Sequence, residues 1–413
     1  MDAITAQVRA LYEKYPYPPP GPPILEQGSD VRWLLSRVAQ TRAGDGPLWA
    51  LDAGCGRGRG LLASATLQPD VRFVGIDISR VSLAAAREEA RKRGLQNVWF
   101  HEVDLMTLEG LHPPKGGFDV IYAAGVIHHL SDPEAGLRRL AEHLAPHGVM
   151  VFMVYSELGR APVRRLSEAI SELLPPNIGL EDRVRVGRGL VAALSREGGG
   201  DAVRQGPWAD VDQLDDVEFV DRYLHPSERY YTVDQVHTLA ESAGLQVLSW
   251  VNPAPWSLPD RMPPGPLRQL AARLPPRAQW RIVERLYWER TFELLLTHPG
   301  NRPAPPPSQS GLQAATLRRN PEASLAVRRR ATAAGPRVET VSLHVGSADP
   351  RPILGPVARA AVVVDETVMD GRSVPAEALL ARFEDEPDLA AVGLQALHML
   401  VQLGFLYVPN PGA

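Results

Sequence analysis

The chain has 413 residues, of which 44% are apolar and 22% charged, as is typical of a globular protein of two or three domains. Its formal net charge of −4 gives no overall attraction to nucleic acid or to an anionic membrane, so neither is an expected partner. The single cysteine, Cys55, excludes internal disulfides; with no signal-peptide pattern and no apolar run long enough to span a bilayer, it predicts a cytoplasmic location.

The N-terminal region is predicted to be helical. Residues 1–15 place apolar side chains at helical spacing, and the following YPYPPPGPP ends that helix because proline lacks a backbone donor. A second helix is predicted over 29–43, with Ser29 or Asp30 as its N-cap. We therefore expect residues 1–44 to form a helical lid ahead of the main domain.

From residue 48 onward, apolar strand-like runs alternate with helical stretches. Strands are predicted at 48–52, 71–77, 98–104, 118–125 and 148–156. Helices are predicted between them, at 58–66, 82–94 and 133–148. Nearly continuous apolar strands are typical of a parallel sheet that is covered on both faces. The order predicts an α/β fold with a doubly wound sheet.

Beyond these strands the alternation stops. A helical cap insertion is predicted at about 157–230, and a further helix and two strands then complete a main domain of residues 45–300. The proline-rich stretch 301–311 is predicted to be an extended linker.

Residues 312–413 are predicted to form a separate small α+β accessory module. Its closing order of helix, helix and strand fits a winged helix, and it carries no catalytic pattern, so we expect it to serve protein contacts. The arginine-rich segment 318–330 is interpreted as a solvated helix face rather than a nucleic-acid contact, because arginine is the general basic residue of this chain.

The segment LDAGCGRGRG, residues 51–60, breaks the first strand into a glycine-rich turn that lets the backbone approach a ligand. It matches the dinucleotide-binding G-x-G-x-x-G poorly, because Arg59 stands at the third glycine position, and it lacks the lysine of a P-loop. Asp52, at the head of the turn, would repel phosphate and attract an ammonium group. A ligand without phosphate is therefore favoured over a nicotinamide dinucleotide.

Two further strands also end in an aspartate. Asp77 closes VGIDIS, where a carboxylate can accept both ribose hydroxyls, and Asp104 follows the next strand, where it can accept from an adenine amino group. Either residue alone would be read as a helix cap or turn residue. Three aspartates at one edge of a parallel sheet instead predict a binding site for a ribose, an adenine and a cationic amino-acid group.

These stretches, together with FDVIYAAGVIHHLSDP at 118–133, resemble the class I S-adenosylmethionine-dependent methyltransferases. The similarity is to the subset with V-[IL]-H-H-L after the fourth strand and a tyrosine- and proline-rich N-terminus. It covers about residues 45–155 and extends loosely to residue 300. It implies a seven-stranded Rossmann-like sheet with a reversed last strand and S-adenosylmethionine as cofactor.

The resemblance also implies roles for individual residues. Asp52 and the glycine turn would hold the methionine portion, Asp77 the ribose and Asp104 the adenine, while Gly125 would face the methyl group. The complete predicted cofactor set is Asp52, Gly54, Cys55, Gly56, Gly58, Asp77, Ile78, Asp104, Leu105 and Gly125.

His128 and His129 follow the fourth strand at the mouth of the predicted site. Either could remove a proton from an oxygen or nitrogen acceptor, since the ordinary pKa of histidine suits a general base; the alternative is that they pack or cap the next helix. No cysteine or carboxylate cluster with ligand spacing accompanies them, so no metal is expected.

Four further residues are candidates for the lid or the acceptor site. Tyr12 and Tyr17 could close over the ligands with aromatic faces for the sulfonium, or pin a surface helix to the sheet. His225 or Tyr230, in the predicted cap, could contact the acceptor; the alternative is that His225 and the following proline form a turn before a helix capped at Thr232.

The sequence therefore predicts a methyltransferase that transfers a methyl group to an oxygen or nitrogen of a small organic acceptor. Transfer to a protein or peptide side chain, with the C-terminal module recruiting the partner, is the alternative of the same class. A catalytically silent regulatory or binding protein that retains the cofactor fold is the alternative of another class.

Overall fold

The computed structural model describes most of the chain, and every structural statement below concerns that part. The described residues are 1–21, 30–42, 46–175, 178–197, 208–305, 307–320, 323–332, 335–345, 351–367, 373–386 and 388–409. Ser29, one of the two predicted N-caps, and portions of the predicted cap insertion lie outside these ranges.

A large central sheet organises the first 300 residues. Its strands are β1 (Trp49–Ala53), β2 (Arg72–Asp77), β3 (Val98–Glu102), β4 (Phe118–Ala124), β5 (Leu144–Ser156), the two-residue β6 (Tyr230–Tyr231), β7 (Gln246–Trp250) and β8 (Thr291–Thr297). The seven longer strands lie in the order β3-β2-β1-β4-β5-β8-β7, and β6 pairs with the end of β5. Strand β8 runs antiparallel to β5 and β7, whereas the pairs among β1 to β5 are parallel. The predicted fold class and reversed final strand are confirmed.

The two faces of the sheet are each covered by an apolar core. Successive strand residues point to opposite faces, so Val120 and Ile121 of β4 enter different cores, and both are fully buried. Ala50 and Leu51 of β1 are divided in the same way. This double coverage is the physical reason for the nearly continuous apolar strands of the sequence.

Helices cover the sheet and build a cap beside it. In chain order they are α1 (Ala3–Lys14), α2 (Val31–Ser36), α3 (Arg59–Leu67), α4 (Arg80–Lys92), α5 (Pro133–Ala141), α6 (Ala161–Leu173), α7 (Leu180–Glu197), α8 (Asp216–Tyr223), α9 (Val233–Ser242), α10 (Pro266–Ala272) and α11 (Pro276–Tyr287). Side chains cap several of them: Asp30 accepts from the backbone of α2, and Thr232 and Gln235 form a capping box on α9.

Two predicted helices are too long. Helix α2 ends at Ser36 rather than at 43, because Val38 leaves the helix and pairs as an isolated bridge with Pro303. Helix α5 ends at Ala141 rather than at 148, because Leu144 already belongs to β5 and lies opposite Phe118 of β4. In both cases a tertiary pairing ends a helix that the local sequence would continue.

Helices α1, α6, α7 and α8 share a third apolar core. Leu11 of α1 is buried in the same cluster as Val163 of α6, Val184 of α7 and Phe219 of α8. The N-terminal helix therefore packs on the cap as well as against the sheet, where Ser79 Oγ donates to the Tyr12 carbonyl at 3.2 Å. The segments predicted as lid and cap therefore share one apolar core.

The C-terminal residues form a mixed α+β unit around a fourth apolar core. Its elements are α12 (Gln309–Gln313), β9 (Thr316–Arg319), β10 (Ala323–Thr332), β11 (Gly335–Val345), β12 (Arg351–Ile353), α13 (Gly355–Thr367), β13 (Val374–Pro375), α14 (Ala376–Glu384), α15 (Gly393–Gln402) and β14 (Leu406–Tyr407). The predicted final order of two helices and a strand is present; the winged-helix comparison stays a prediction.

Segment 318–330 was interpreted as a helix face, and that interpretation is wrong for its described residues. They belong to β9 and β10, and β10 pairs antiparallel with β11 over its whole length. Within β10, Ala323, Leu325 and Val327 pack on the apolar core while Ser324, Ala326 and Arg328 between and after them are exposed, which is the two-residue period of a half-buried strand. Among the described residues no helix is long and apolar enough to cross a bilayer.

Candidate active site

The three predicted aspartates meet at one cavity. Asp52 lies in β1, Asp77 ends β2, and Asp104 follows β3, so parallel pairing brings all three to the same edge of the sheet. All three line a cavity of about 490 Å³. The central geometric expectation from the sequence, a carboxylate-lined cleft at the carboxyl edge, is therefore met.

Asp77 organises the glycine turn as well as lining the cavity. Its Oδ2 accepts from the Gly56 backbone N–H at 2.8 Å, and its Oδ1 accepts from the Ser79 backbone N–H at 2.8 Å. Burial raises the pKa of Asp77, and these backbone donors oppose the rise. Asp104 is held similarly, since its Oδ1 accepts from the Met106 N–H at 2.8 Å.

The glycine turn leaves room that a side chain would fill. Gly54 and Gly56 both have positive φ angles, of 80° and 51°. A Cβ on Gly54 would lie 2.7 Å from a methyl group of Val126, and a Cβ on Gly56 would lie 2.5 Å from the Tyr17 carbonyl oxygen. The turn is thus a close-fitting cradle between the fourth strand and the lid, which fits a ligand held against its backbone.

We expect Gly56→Ala to weaken binding of S-adenosylhomocysteine at least tenfold, because the new methyl group must push the Tyr17 carbonyl away from the cradle. The left-handed conformation adds about 1–2 kcal/mol of strain. Gly94→Ala is the matched control, since Gly94 also has a positive φ angle, of 66°, but nothing lies within 4 Å of its Cβ position. Calorimetric titration of both variants should show lost affinity only for Gly56→Ala; equal affinities would contradict the close contact.

The other predicted cofactor residues mostly lie at the cavity. Cys55, Ile78, Leu105 and Gly125 are lining residues. Burial raises the pKa of the Cys55 thiol well above its usual range, so it stays neutral and packs as a small apolar group. Gly58 is not among the lining residues; it is the N-cap of α3 in the left-handed conformation and begins the helix behind the turn.

Both lid tyrosines reach the cavity. Tyr12 and Tyr17 are lining residues, and the Tyr12 hydroxyl donates to Asp221 Oδ1 at 2.9 Å. The backbone N–H of Arg57 donates to the Tyr17 carbonyl at 3.3 Å, which fixes the lid to the glycine turn. The lid is therefore attached at two points, to the cap by Tyr12 and to the cofactor edge by Tyr17.

His128 and His129 occupy different places. His129 lines the cavity, whereas His128 is fully buried, is not a lining residue, and lies with its ring centroid 3.9 Å from that of Tyr155. The Nδ1 of His129 lies 2.8 Å from the Ser227 carbonyl oxygen, so Nδ1 carries the proton and Nε2 is the proton acceptor. Burial lowers the pKa of His129 to about 4.

The two cap candidates lie behind the cavity wall. His225 stacks on His129 with 3.7 Å between ring centroids, and its Nδ1 accepts from the Ser227 N–H, so it forms a turn as the alternative interpretation stated. The Tyr230 hydroxyl donates to Glu228, which pairs with Arg160 at 2.9 Å. Neither His225 nor Tyr230 is a lining residue of this cavity.

The charged residues that α8 contributes to the cavity were not predicted from the sequence. Glu218 and Asp221, three residues apart on one helix face, are both lining residues, and so is Arg59 of α3. Asp221 opens the D-R-Y-L-H-P stretch, but its contact with Tyr12 spans 209 residues, which no local pattern indicates. Arg59 was considered only as the residue that breaks the dinucleotide-binding pattern. In the described part of the chain no group of three or more His, Cys, Asp or Glu residues is placed to hold a metal ion.

Comparison with known proteins agrees with this geometry. Residues 51–150 match a family model described as a methyltransferase domain. The chain is 34% identical over 317 residues to the uncharacterized protein syc1184_c of Synechococcus sp., covering 74% of this chain and 73% of that protein. It is 32% identical over 179 residues to 27-O-demethylrifamycin SV methyltransferase of Amycolatopsis mediterranei, covering 41% of this chain and 58% of that enzyme.

The fold is shared with a solved structure over nearly the whole length. The structure of PKMT2 from Rickettsia typhi superposes with a TM-score of 0.66 at 17% sequence identity and covers 94% of this chain and 78% of that chain. A second structure of the same protein, in complex with AdoHcy, gives a TM-score of 0.65 at 16% identity and covers 95% of this chain and 77% of that chain.

Fold, cavity and family match together define a methyltransferase with a Rossmann-like sheet and a carboxylate-lined cavity at its carboxyl edge. The chain belongs to the class I S-adenosylmethionine-dependent methyltransferases, and S-adenosylmethionine is its cofactor.

Proposed function

We propose that this protein transfers the methyl group of S-adenosylmethionine to an oxygen or nitrogen of a small organic acceptor held under the lid. The observation that carries the proposal is the roof of the cavity. Tyr12 of α1 donates to Asp221 of α8 at 2.9 Å, so lid and cap meet above the carboxyl ends of the strands. A cavity that α1 and α8 partly cover in this way favours a small acceptor, whereas a polypeptide needs an open groove.

The cofactor half of the cavity is the carboxyl edge of β1, β2 and β3. Asp52, with the glycine turn, would bind the methionine portion, Asp77 the ribose hydroxyls and Asp104 the adenine amino group. The close backbone approach at Gly54 and Gly56, where a Cβ would collide with Val126 and Tyr17, supports the fit of such a ligand.

The acceptor half would continue from Gly125 along β5. The Gly125 N–H donates to the Met153 carbonyl at 3.2 Å, and Met153, Tyr155 and His129 line the cavity beyond it. The cofactor supplies an activated methyl carbon for in-line displacement. The residues of this chain hold the acceptor at attack distance and exclude water, because a close, dry approach lowers the barrier.

A general base among the histidines stays a prediction. His129 is at the cavity with Nε2 as proton acceptor, but its lowered pKa, about 4, makes it a weak base near neutral pH. His128, fully buried behind Tyr155, would support the wall rather than contact the acceptor.

Names of relatives also support a small acceptor. One is a 27-O-demethylrifamycin SV methyltransferase, and another, 36% identical over 105 residues, is a ubiquinone biosynthesis O-methyltransferase of Rhodopseudomonas palustris; these 105 residues cover 24% of this chain and 37% of that enzyme. The C-terminal module, 312–413, is proposed to serve contacts with other proteins, and 1–44, 45–300 and 301–311 are proposed as lid, main domain and linker.

Transfer of a labelled methyl group tests the acceptor class. The protein is incubated with methyl-tritiated S-adenosylmethionine and an extract of the source organism, and acid-soluble metabolites are separated from acid-precipitated protein. We expect label in the metabolites and none above background with heat-treated protein. Label found only in precipitated protein would replace the proposal by transfer to a protein side chain.

A further inference from the structure

A series of aromatic contacts leads to the proposed acceptor half of the cavity. Measured between ring centroids, Tyr12 lies 5.7 Å from His225, His225 lies 3.7 Å from His129, and His129 lies 5.8 Å from Tyr155. Asp221 joins this series through its hydrogen bond to Tyr12, and, beyond the effect of burial, its charge raises the pKa of both Tyr12 and Tyr155. Asp221 therefore acts on Tyr155, a lining residue of the proposed acceptor half.

Asp221 presents an oxygen without a protein partner. The residue is 8% exposed and lines the cavity, and its Oδ1 accepts from the Tyr12 hydroxyl. Among the described residues no hydrogen bond or ion pair to its Oδ2 is found. A carboxylate oxygen at a cavity wall without a protein donor is available to accept a hydrogen bond from a ligand.

The nearby cations do not neutralise this carboxylate. Arg160 is committed to Glu228, at 2.9 Å and with both side chains buried, and Arg222 pairs with Asp210 at 2.8 Å. Arg222 lies farther from Glu218, at 3.9 Å. In the described lining Arg59 is the one Lys or Arg side chain, against the five carboxylates Asp52, Asp77, Asp104, Glu218 and Asp221.

The excess of carboxylates over cations in the cavity lining favours some classes of acceptor over others. An anionic acceptor would be repelled by Glu218 and Asp221, and a neutral hydroxyl would donate one hydrogen bond but supply no positive charge to them. A protonated amine supplies both a positive charge and the N–H donors that the Asp221 oxygen lacks.

We propose that the acceptor is a small amine, protonated in solution, which Glu218 and Asp221 bind and whose proton Asp221 accepts. This inference rests on the proposed function and names its substrate class. It also assigns Asp221 as a catalytic residue for the methyl transfer.

In the proposed reaction a proton transfer to Asp221 precedes the methyl transfer. The carboxylate of Asp221 takes one proton from the ammonium group, which frees the nitrogen lone pair. The nitrogen forms a bond to the methyl carbon as the bond from that carbon to sulfur breaks, and the bonding electron pair stays on sulfur. The products are a methylammonium ion and S-adenosylhomocysteine, and the proton on Asp221 then passes to solvent.

The protonation chemistry of Asp221 fits this role. Its pKa is raised to about 7, chiefly by burial and also by the charges of Glu228 and Glu218, against the opposing effects of the Tyr12 hydroxyl and Arg160. A base with a pKa near the working pH is the most effective proton acceptor. A bound ammonium group would lower this pKa and so favour the ionised carboxylate.

The first test identifies the methylated atom. Labelled metabolites from the transfer reaction are expected to bind a cation exchanger near neutral pH and to keep their label in alkali, as methylamines do. Asp221→Asn is expected to lower kcat/KM about 100-fold or more, with Asp221→Glu recovering part of the loss. Asp216→Asn, an exposed residue of the same helix paired with Arg188, is the matched control and should leave kcat/KM unchanged.

The pH profile is the second readout. For the wild type, kcat/KM should fall about tenfold per pH unit below pH ~7, and Asp221→Asn should lose this limb. A limb that persists in Asp221→Asn and disappears in His129→Asn would assign the base to His129 and overturn the inference. Label released as methanol by alkali, or found in a neutral ether, would overturn the amine assignment.

The third readout is the pH dependence of thermal stability, which does not require methyltransferase activity. Because the folded pKa of Asp221, about 7, lies above its ordinary value of 3.8, wild-type stability should fall as pH rises between these values. Asp221→Asn should lose that fall and melt several degrees higher than wild type near pH 8. Identical pH dependence of melting in both proteins would overturn the placement of an ionisable group there.

Failure of this inference is distinguishable from failure of the proposed function. Label on oxygen in the metabolite fraction would contradict the amine assignment and would leave the proposed methyl transfer to a small organic acceptor in place. Label found only in protein would contradict methyl transfer to a small acceptor itself.

Discussion

Asp77→Asn is expected to weaken S-adenosylhomocysteine binding by about 100- to 1000-fold, equivalent to about 3–4 kcal/mol for two lost charge-assisted hydrogen bonds. The carboxylate already accepts from Gly56 and Ser79, one N–H on each oxygen, which leaves lone pairs for two ribose hydroxyls. Asparagine offers one oxygen only, and its amide N–H₂ would face a backbone donor. The glycine turn and the ribose site are therefore both affected.

Isothermal titration of S-adenosylhomocysteine into both proteins measures this loss. Asp70→Asn is the matched control, since Asp70 is exposed and pairs only with Arg32 among the described residues. We expect the control to bind as wild type does. An Asp77→Asn protein with affinity within about threefold of wild type would remove Asp77 from the ribose site.

Arg160→Leu is expected to reduce the free energy of unfolding by about 3–5 kcal/mol, because it leaves the Glu228 carboxylate buried without its cation. Arg160 pairs with Glu228 at 2.9 Å, and its guanidinium carbon lies 3.4 Å from the Tyr155 ring centroid. Burial raises the pKa of Glu228, and Arg160 opposes the rise. Without Arg160 this pKa rises further, so the loss of stability should grow as pH increases.

Urea unfolding of three variants separates the effect of the unpaired Glu228 charge from the effect of lost packing on Tyr155. Arg165→Leu, at an exposed position of helix α6, which Arg160 immediately precedes, should change the free energy of unfolding by no more than about 0.5 kcal/mol. Arg160→Leu combined with Glu228→Gln should recover part of the loss, because the unpaired charge is then absent. A double variant as unstable as Arg160→Leu alone would attribute the loss to packing on Tyr155 rather than to the charge.

The functional consequence of Arg160 follows from its position. It lies between Tyr155, which lines the cavity, and Glu228, which accepts from Tyr230. Its charge opposes the rise in the pKa of Asp221 that burial and the nearby Glu228 carboxylate cause. The ion pair thus supports the wall of the acceptor site without contacting the acceptor.

The cofactor edge could be predicted from the sequence because its determinants are local. A parallel strand places its last residue at the carboxyl edge wherever the strand lies in the sheet, so the ends of VGIDIS and of neighbouring strands sufficed for Asp52, Asp77 and Asp104. Glycine at 54 and 56 marked the close approach for the same reason. The error at 133–148 shows the limit of local periodicity, since only pairing with β4 placed Leu144 in a strand.

The acceptor side could not be predicted because its contacts join distant segments. Tyr12 and Asp221 are 209 residues apart and Arg160 and Glu228 are 68 apart, and neither pair belongs to a motif of fixed spacing. His128 and His129 are adjacent in sequence, yet one lines the cavity and the other lies behind Tyr155. Burial, which moves the pKa of His129 down and that of Asp221 up, is a property of the packed surroundings alone.

The sequence by itself predicted the parallel strands and the three aspartates at their carboxyl edge, since strand period and glycine geometry operate over a few residues. Only the tertiary structure decided which side chains of α1 and α8 line the cavity beside those aspartates. The physical reason is that desolvation and pairing depend on neighbours brought together through space by the helices α1, α6 and α8.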